Sequence, residues 1–326
     1  MPTALITGIT GQDGSFLAEQ LVGDGWRVVG LHRRSASPNL WRIAHLRGRI
    51  ELMEADLLDQ GSLCEALRLS RPDHVYHLAA QSFVPTSWRQ PLLTGEVTAL
   101  GTARMLEALR LVWPEARFYQ ASSSEMFGLA AQTPQTEATP FHPRSPYGVA
   151  KVYAHHLTIN YRESYGLFAV SGVLFNHESE RRGEEFVTRK IAIGAARAAA
   201  GDRAPLRLGA LDVRRDWGFA GDYTRAIHAM LCQKEPTDYI ISSGVSHRVR
   251  DFAALAYAAV GLDWRDHVVE DPALLRPAEI PELRGDPARA RAGLGWQPTL
   301  DFAGLVERMV RAEVDRLAQG PCPTSW

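Results

Sequence analysis

Along the first half of the chain, short apolar runs alternate with longer stretches whose apolar residues recur every third or fourth position. The runs at residues 4–7, 27–31, 50–54, 74–78, 117–121 and 168–174 predict strands. The intervening patterns at 15–21, 61–69 and 99–111 predict helices with one apolar face. Strand, turn and amphipathic helix in repetition specify an α/β fold, a doubly wound parallel sheet of Rossmann type with helices on both faces. After about residue 174 the alternation becomes irregular, with charged stretches, a loop at 272–281 and a last amphipathic helix at 302–317. A smaller mixed α/β domain is expected there, although the apolar run at 238–242 reads as a strand that rejoins the first sheet. The expected limits are 1–172, with a return around 213–244, for the first domain, and 173–212 with 245–320 for the second. No internal repeat is present, and the Ala/Arg-rich stretch around 195–200 reads as a surface helix.

Composition narrows what such a fold can do. At 326 residues and 45% hydrophobic, the chain can bury a substantial core. Its 36 basic and 37 acidic side chains nearly cancel, so nothing draws it in bulk to nucleic acid or to a membrane surface. An anionic ligand has to be held at a local site. Cys64, Cys232 and Cys322 lie far apart without metal-ligand or disulfide spacing, and read as free thiols of a cytoplasmic protein. No basic leader with an apolar core opens the chain, and no window approaches about 18 uninterrupted apolar residues. Neither export nor membrane insertion is expected, and no metal.

The turn after the first strand reads Gly8-Ile9-Thr10-Gly11-Gln12-Asp13-Gly14, three glycines three residues apart leading into a helix at Ser15. Glycines there allow a tight turn and close backbone approach, and the helix N-terminus offers free N–H groups to a pyrophosphate. The second strand should end on an acidic residue if the ribose 2′-hydroxyl of NAD were bound. It runs instead into Arg33-Arg34-Ser35, whose guanidinium forks and hydroxyl suit a 2′-phosphate, so NADP is the expected cofactor. By analogy with doubly wound folds, Asp56 and Leu57 after the third strand would meet the adenine. Leu78, Ala79, Ala80, Gln81 and Ser82 after the fourth would let the cofactor pass closely.

Ser123 closes the fifth strand at the edge where such sheets bind ligands, and Tyr147 and Lys151 stand four apart, on one face of a helix. An ammonium near a phenol lowers its pKa from about 10, so Lys151 and a nicotinamide charge are expected to make Tyr147 the base of a hydride transfer, with Ser123 bonded to the same substrate oxygen.

This arrangement resembles the extended short-chain dehydrogenase/reductases, and within them the GDP-mannose 4,6-dehydratase family, over nearly the full chain. The resemblance rests on the glycine turn, on Ala121-Ser122-Ser123-Ser124-Glu125-Met126-Phe127-Gly128, on Pro143-Arg144-Ser145-Pro146-Tyr147 and on Leu174-Phe175-Asn176-His177-Glu178-Ser179. Phe186-Val187-Thr188-Arg189-Lys190, Arg215-Asp216-Trp217-Gly218 and Arg276-Pro277-Ala278-Glu279 complete it. It implies that Glu125 is the second base, which separates dehydration from the epimerases and reductases that generally lack a carboxylate there. Tyr147 would take the O4 proton and Glu125 the C5 proton. It implies further that His177 and Arg182 help hold NADP. Asn176, Lys190, Arg215 and Arg276 would surround the substrate diphosphate, with Ser82 nearby and Glu279 on a ribose. Two departures stand out: Ser123 replaces a frequent threonine, and Glu180 follows Ser179 where proline is common. The resemblance also implies a homodimer or homotetramer, with the Arg33-Arg34-Ser35 segment reaching a neighbouring subunit. A GDP-heptose substrate, a GDP-sugar epimerase or reductase of the same fold, and a noncatalytic NADP-binding regulator remain as alternatives.

Overall fold

A computed structural model describes residues 1–37 and 39–319 of the chain. Cys322 and the last residue of the expected second domain, residue 320, lie outside these. Along the chain, β1 (Thr3–Thr7), α1 (Gln12–Gly23), β2 (Arg27–His32), β3 (Glu51–Glu54), α2 (Gln60–Ser70) and β4 (His74–His77) come first. Helices α3 (Val84–Arg89) and α4 (Pro91–Thr94) run through a π-helical stretch, Gly95–Leu100, into α5 (Gly101–Val112). Then follow β5 (Arg117–Ser123), α6 (Pro146–Tyr165), β6 (Ala169–Leu174), β7 (Asn176–Glu178), α7 (Val187–Ala199), β8 (Leu206–Leu208) and β9 (Arg214–Phe219). The remainder comprises α8 (Ala220–Leu231), β10 (Tyr239–Ile241), β11 (Ser246–Arg248), α9 (Val249–Ala258), β12 (Val268–Glu270), β13 (Glu282–Leu283), α10 (Ala288–Leu294) and α11 (Phe302–Gln319).

Seven strands form one parallel sheet in the order β10-β6-β5-β4-β1-β2-β3. Every residue of β1 and β6 is buried, which explains why neither alternates apolar with exposed polar positions: a strand covered on both faces has no solvent side. One face packs Leu17, Leu21, Ile227 and Met230 of α1 and α8, and the other Leu63, Leu67, Met105 and Leu109 of α2 and α5. Strand order reverses between β1 and β4, the place where such sheets open a crevice at their carboxyl edge.

The second half builds smaller units. β11, β9 and β13 form a sheet that β7 extends through β9, and β12 pairs with β8. Of the segment read as a return to the first sheet, 213–244, β10 pairs with β6, whereas β9 lies in the second sheet. The stretch around 195–200 is the end of α7, with Arg197, Ala199 and Ala200 exposed and Ala195 and Ala196 buried, Ala195 in an apolar cluster with Phe252 of α9 and Met309 of α11. Among the described residues, no helix is long and apolar enough to cross a membrane and no group of three metal-ligating side chains converges.

Candidate active site

The glycine turn stands between β1 and α1. Gly8 has φ +74°, and a Cβ there would lie 2.9 Å from Ala79 N; one on Gly14 would lie 2.4 Å from Gly8 O. The backbone therefore packs too closely for side chains, and α1 begins at Gly11 without a side-chain cap, leaving its first N–H groups facing the crevice. Thr7 fixes the opposite wall: its hydroxyl accepts from Leu78 N and Ala79 N, each at 3.1 Å, and lies 3.0 Å from His77 Nδ1. That contact holds the 78–82 segment against the turn.

A cavity of about 1360 Å³ follows the carboxyl edge of the sheet. Pockets for single drug-sized ligands run to roughly 1,000 Å³, so this one has room for a dinucleotide and a second nucleotide together. Its lining includes Gly8, Thr10, Gly11, Gln12, Asp13 and Gly14, then Arg33, Ser35, Asp56 and Leu57, then Leu78 through Ser82. Arg34 is not among the lining residues, so of the three residues expected at a 2′-phosphate the fold brings two to the cavity and leaves the third off it.

Ser123, Glu125, Tyr147 and Lys151 line the middle of the same cavity. Tyr147 and Lys151 ride on α6, whose start has every feature of a fixed helix end: Ser145 accepts from Gly148 N at 3.0 Å and Pro146 occupies the first turn. Gly148 lets the Glu125 turn pack on this helix, since a Cβ there would come within 2.7 Å of Glu125 O. Glu125 itself lies on a 3-10 turn, Ser124–Met126, capped by the Ser123 hydroxyl accepting from Glu125 N at 3.3 Å.

Electrostatics here depart from expectation. Burial pushes the Tyr147 phenol up to about 12; a hydrogen bond with Ser123 opposes this and the Glu125 charge adds to it. Lys151 does not bond the phenol directly. Its ammonium donates to Ala121 O at 2.6 Å and sits 5.8 Å from the Tyr147 ring centre, while burial takes it down to about 8. Lowering the phenol therefore requires positive charge beyond what these side chains place beside it.

Asp13 and His177, both expected to touch a cofactor, bind one another at 2.8 Å. Burial would raise the Asp13 carboxyl, but the His177 charge, with bonds from His177 and Gln12, outweighs it and holds the group at about 2. For His177 the balance runs the other way: burial lowers its pKa, and Asp13 more than offsets this, so the imidazole is raised. Gln12 donates to His177 O at 3.1 Å and accepts from Ser179 at 2.8 Å, tying the glycine turn to β7 and the loop beyond it.

The same cavity is lined by Asn176, Lys190, Arg215, Arg276 and Glu279, and by Arg182, whose charge acts on Asp13 and His177 and which pairs with Glu178 at 3.1 Å. Arg215 on β9 is buried, with donors to Arg214 O, Ile280 O and Glu279. Arg276 makes its ion pair with Glu125 at 3.4 Å. Every site residue inferred from sequence except Arg34 thus faces one cavity.

Residues 5–309 match the GDP-mannose 4,6 dehydratase family. The chain belongs to that family. It is 48% identical over 96% of its length to GDP-mannose 4,6 dehydratase 2 of Arabidopsis thaliana, covering 87% of that protein. Among solved structures it resembles UDP-glucose 4-epimerase of Thermus thermophilus in complex with NAD, with TM-score 0.85, 27% identity and coverage of 95% of this chain and 98% of that one. It also resembles RMD from Pseudomonas aeruginosa complexed with NADPH, with TM-score 0.82, 26% identity and coverage of 97% and 99%.

Within this family member, sequence reading passed over Arg42. It donates to Thr10 O at 3.3 Å and to Arg181 O at 2.7 Å, bracing the glycine turn from behind. Burial, with neighbouring arginines adding, lowers it to about 10. Nothing local marked it, because Trp41-Arg42 sits on a short 3-10 turn and meets its partners only through the fold. Asp216, quoted as part of a motif without a role, is buried next to Arg215 on β9. It accepts from Ser243 N at 2.8 Å and Gly244 N at 2.9 Å, and burial raises it to about 6 despite these bonds.

Proposed function

We propose that this protein converts GDP-mannose to GDP-4-dehydro-6-deoxy-D-mannose and water, with NADP as a cofactor regenerated in each cycle. The observation that carries the reading is the convergence, in one cavity with room for two nucleotides, of a buried phenol, its bonded serine and a buried carboxylate two residues beyond that serine. The glycine turn, free at the α1 N-terminus, would hold the pyrophosphate, and Arg33 with Ser35 the 2′-phosphate.

Bound there, a nicotinamide supplies a temporary acceptor for the hydride that leaves C4 and returns at C6. Tyr147 takes the O4 proton. Its phenol, high by burial, gives up its own proton only when cationic charge comes to its ring. That charge would come with a bound, oxidised nicotinamide, added to the Lys151 ammonium, which is still protonated at neutral pH and lies 5.8 Å from the ring centre. Ser123 holds the O4 position. The resulting ketone acidifies C5, and Glu125 takes the C5 proton, then passes it to the departing C6 hydroxide, which leaves as water. The proton stored at Tyr147 goes to C5 as the hydride arrives at C6, so that phenolate and carboxylate are restored. Arg215, Arg276 and Lys190 neutralise the diphosphate, with Asn176 beside them and Glu279 reaching a ribose hydroxyl.

A cytoplasmic setting and self-association belong to the same reading. Cys64 and Cys232 are free thiols. Leu92, Val149 and Tyr153 form an exposed apolar strip on α4 and α6, which suits contact with a second copy. Gel filtration giving only monomer would remove the oligomer. The substrate is tested by incubating protein and NADP⁺ with GDP-mannose or GDP-heptose and following loss of one water by mass. Conversion of GDP-heptose alone would overturn the assignment.

A further inference from the structure

The two arginines at the substrate end are held very differently. Arg215 is nearly enclosed, and all its partners belong to the protein: Arg214 O at 2.9 Å, Ile280 O at 2.8 Å and Glu279 at 3.2 Å. Arg276 follows the 3-10 turn Pro272–Leu274 on a stretch without regular structure up to β13, and its side chain is 31% exposed. Its one hydrogen bond among the described residues goes to Glu125 Oε1, at the long distance of 3.4 Å. The other oxygen of that carboxylate, Oε2, is buried and has no partner among the described residues. A buried carboxylate with one weak ion pair and one bare oxygen is under-satisfied, and the cation it leans on is the less firmly held of the two.

Resting on the function proposed above, we infer that Arg276 is shared between two anions. The diphosphate of the arriving substrate draws the guanidinium off Glu125, and the carboxylate becomes a free proton acceptor only once the nucleotide half of the substrate is seated. Two phosphate groups, presenting several oxygens to a planar fork, outcompete a single carboxylate oxygen at 3.4 Å. Arg276 is then a positioning residue for elimination as well as a phosphate contact, and Arg215 remains the fixed anchor.

Competition for one cation has a thermodynamic signature that needs no turnover. GDP, which carries the diphosphate without the hexose, is titrated into NADP⁺-loaded wild type, E125Q, R276Q and the double variant. Removing the competing charge should tighten GDP binding in E125Q by about fivefold, the scale of one part-exposed ion pair. In the R276Q background, E125Q should bring clearly less tightening, because the shared cation is gone and only the carboxylate's charge effect on Arg215 and the diphosphate remains. Unchanged or weaker GDP binding in E125Q overturns the inference. Equal tightening in both backgrounds does too, since that is a general charge effect. If E125Q fails to retain NADPH fluorescence, E125A supplies the same arm. Failure of wild type to bind GDP would sink the underlying function, and an E125Q protein that still dehydrates GDP-mannose would sink the role of Glu125; an E125Q protein that is inactive but has wild-type GDP affinity sinks only the sharing.

Discussion

Replacing Asp13 by asparagine removes one charge from the pair that fastens the glycine turn to β7, with little change of shape. Each tenfold change in proton affinity corresponds to about 1.4 kcal/mol. The fall of the Asp13 carboxyl from 3.8 to about 2 therefore gives the ionised group about 2 kcal/mol of stability. Asparagine can still hydrogen-bond His177, so the loss is that ionic part, about 4 °C in Tm for a chain of this size. The pH dependence is the sharper test. Because the Asp13 pKa is depressed in the fold, its contribution is present above 3.8 and lost as pH falls toward about 2. His177 is raised, so its contribution is complete below 6.5 and lost as pH rises through the folded value. The difference in Tm between wild type and D13N should thus be widest between 3.8 and 6.5 and narrow on both sides. Thermal melts without cofactor across this range measure it directly. The same difference at about pH 6 and about pH 9 would show that His177 carries no charge and that the pair is an ordinary hydrogen bond.

Other expectations follow from the same site. Burial depresses Lys151 to about 8 from 10.5, so the charged form costs about 3 kcal/mol below that value and nothing above 10.5. K151M removes this and forfeits the charge-assisted bond to Ala121 O, worth about 1.5–3 kcal/mol, so the two offset to a net gain of about 1 kcal/mol at neutral pH, alongside collapse of activity; a Tm lowered by several degrees would contradict it. Tyr147→Phe should cut C4 oxidation by about 10²–10⁴-fold with NADP binding intact, read as missing NADPH absorbance in a single turnover. Arg33→Glu should weaken NADP⁺ at least about tenfold and favour NAD⁺, whereas R34E should change the ratio far less because Arg34 lies off the cavity lining; equal effects in fluorescence titrations would place the 2′-phosphate elsewhere.

The parallel sheet was legible because β1, β4 and β6 are buried along their whole length and β1 and β3 lead into helices whose apolar residues recur at a regular period. The helical run ahead of α5, through α3, α4 and the π-helical stretch, was not, since Pro85, Pro91 and Gly95 interrupt the pattern and packing against α6 helps carry the chain through. In the second half the strands are two to six residues long, too short for alternation to be read. The cavity residues were recognisable as motifs, but their pairings were not. Nothing in the spacing of Asp13 and His177 foretold that they hold each other, nor that Arg276 reaches Glu125 across 151 residues. A helix period put Lys151 beside Tyr147, yet the carbonyl of Ala121 takes the ammonium instead.

The central claim, that one sugar is oxidised, dehydrated and reduced again between Tyr147 and Glu125, is tested most directly with GDP-mannose deuterated at C4. With catalytic NADP⁺ the product should have lost one water and kept its deuterium, now on C6, and E125Q should give none of it. A product whose label is gone to solvent or still on C4, or an E125Q protein that forms it at the wild-type rate, would contradict the account.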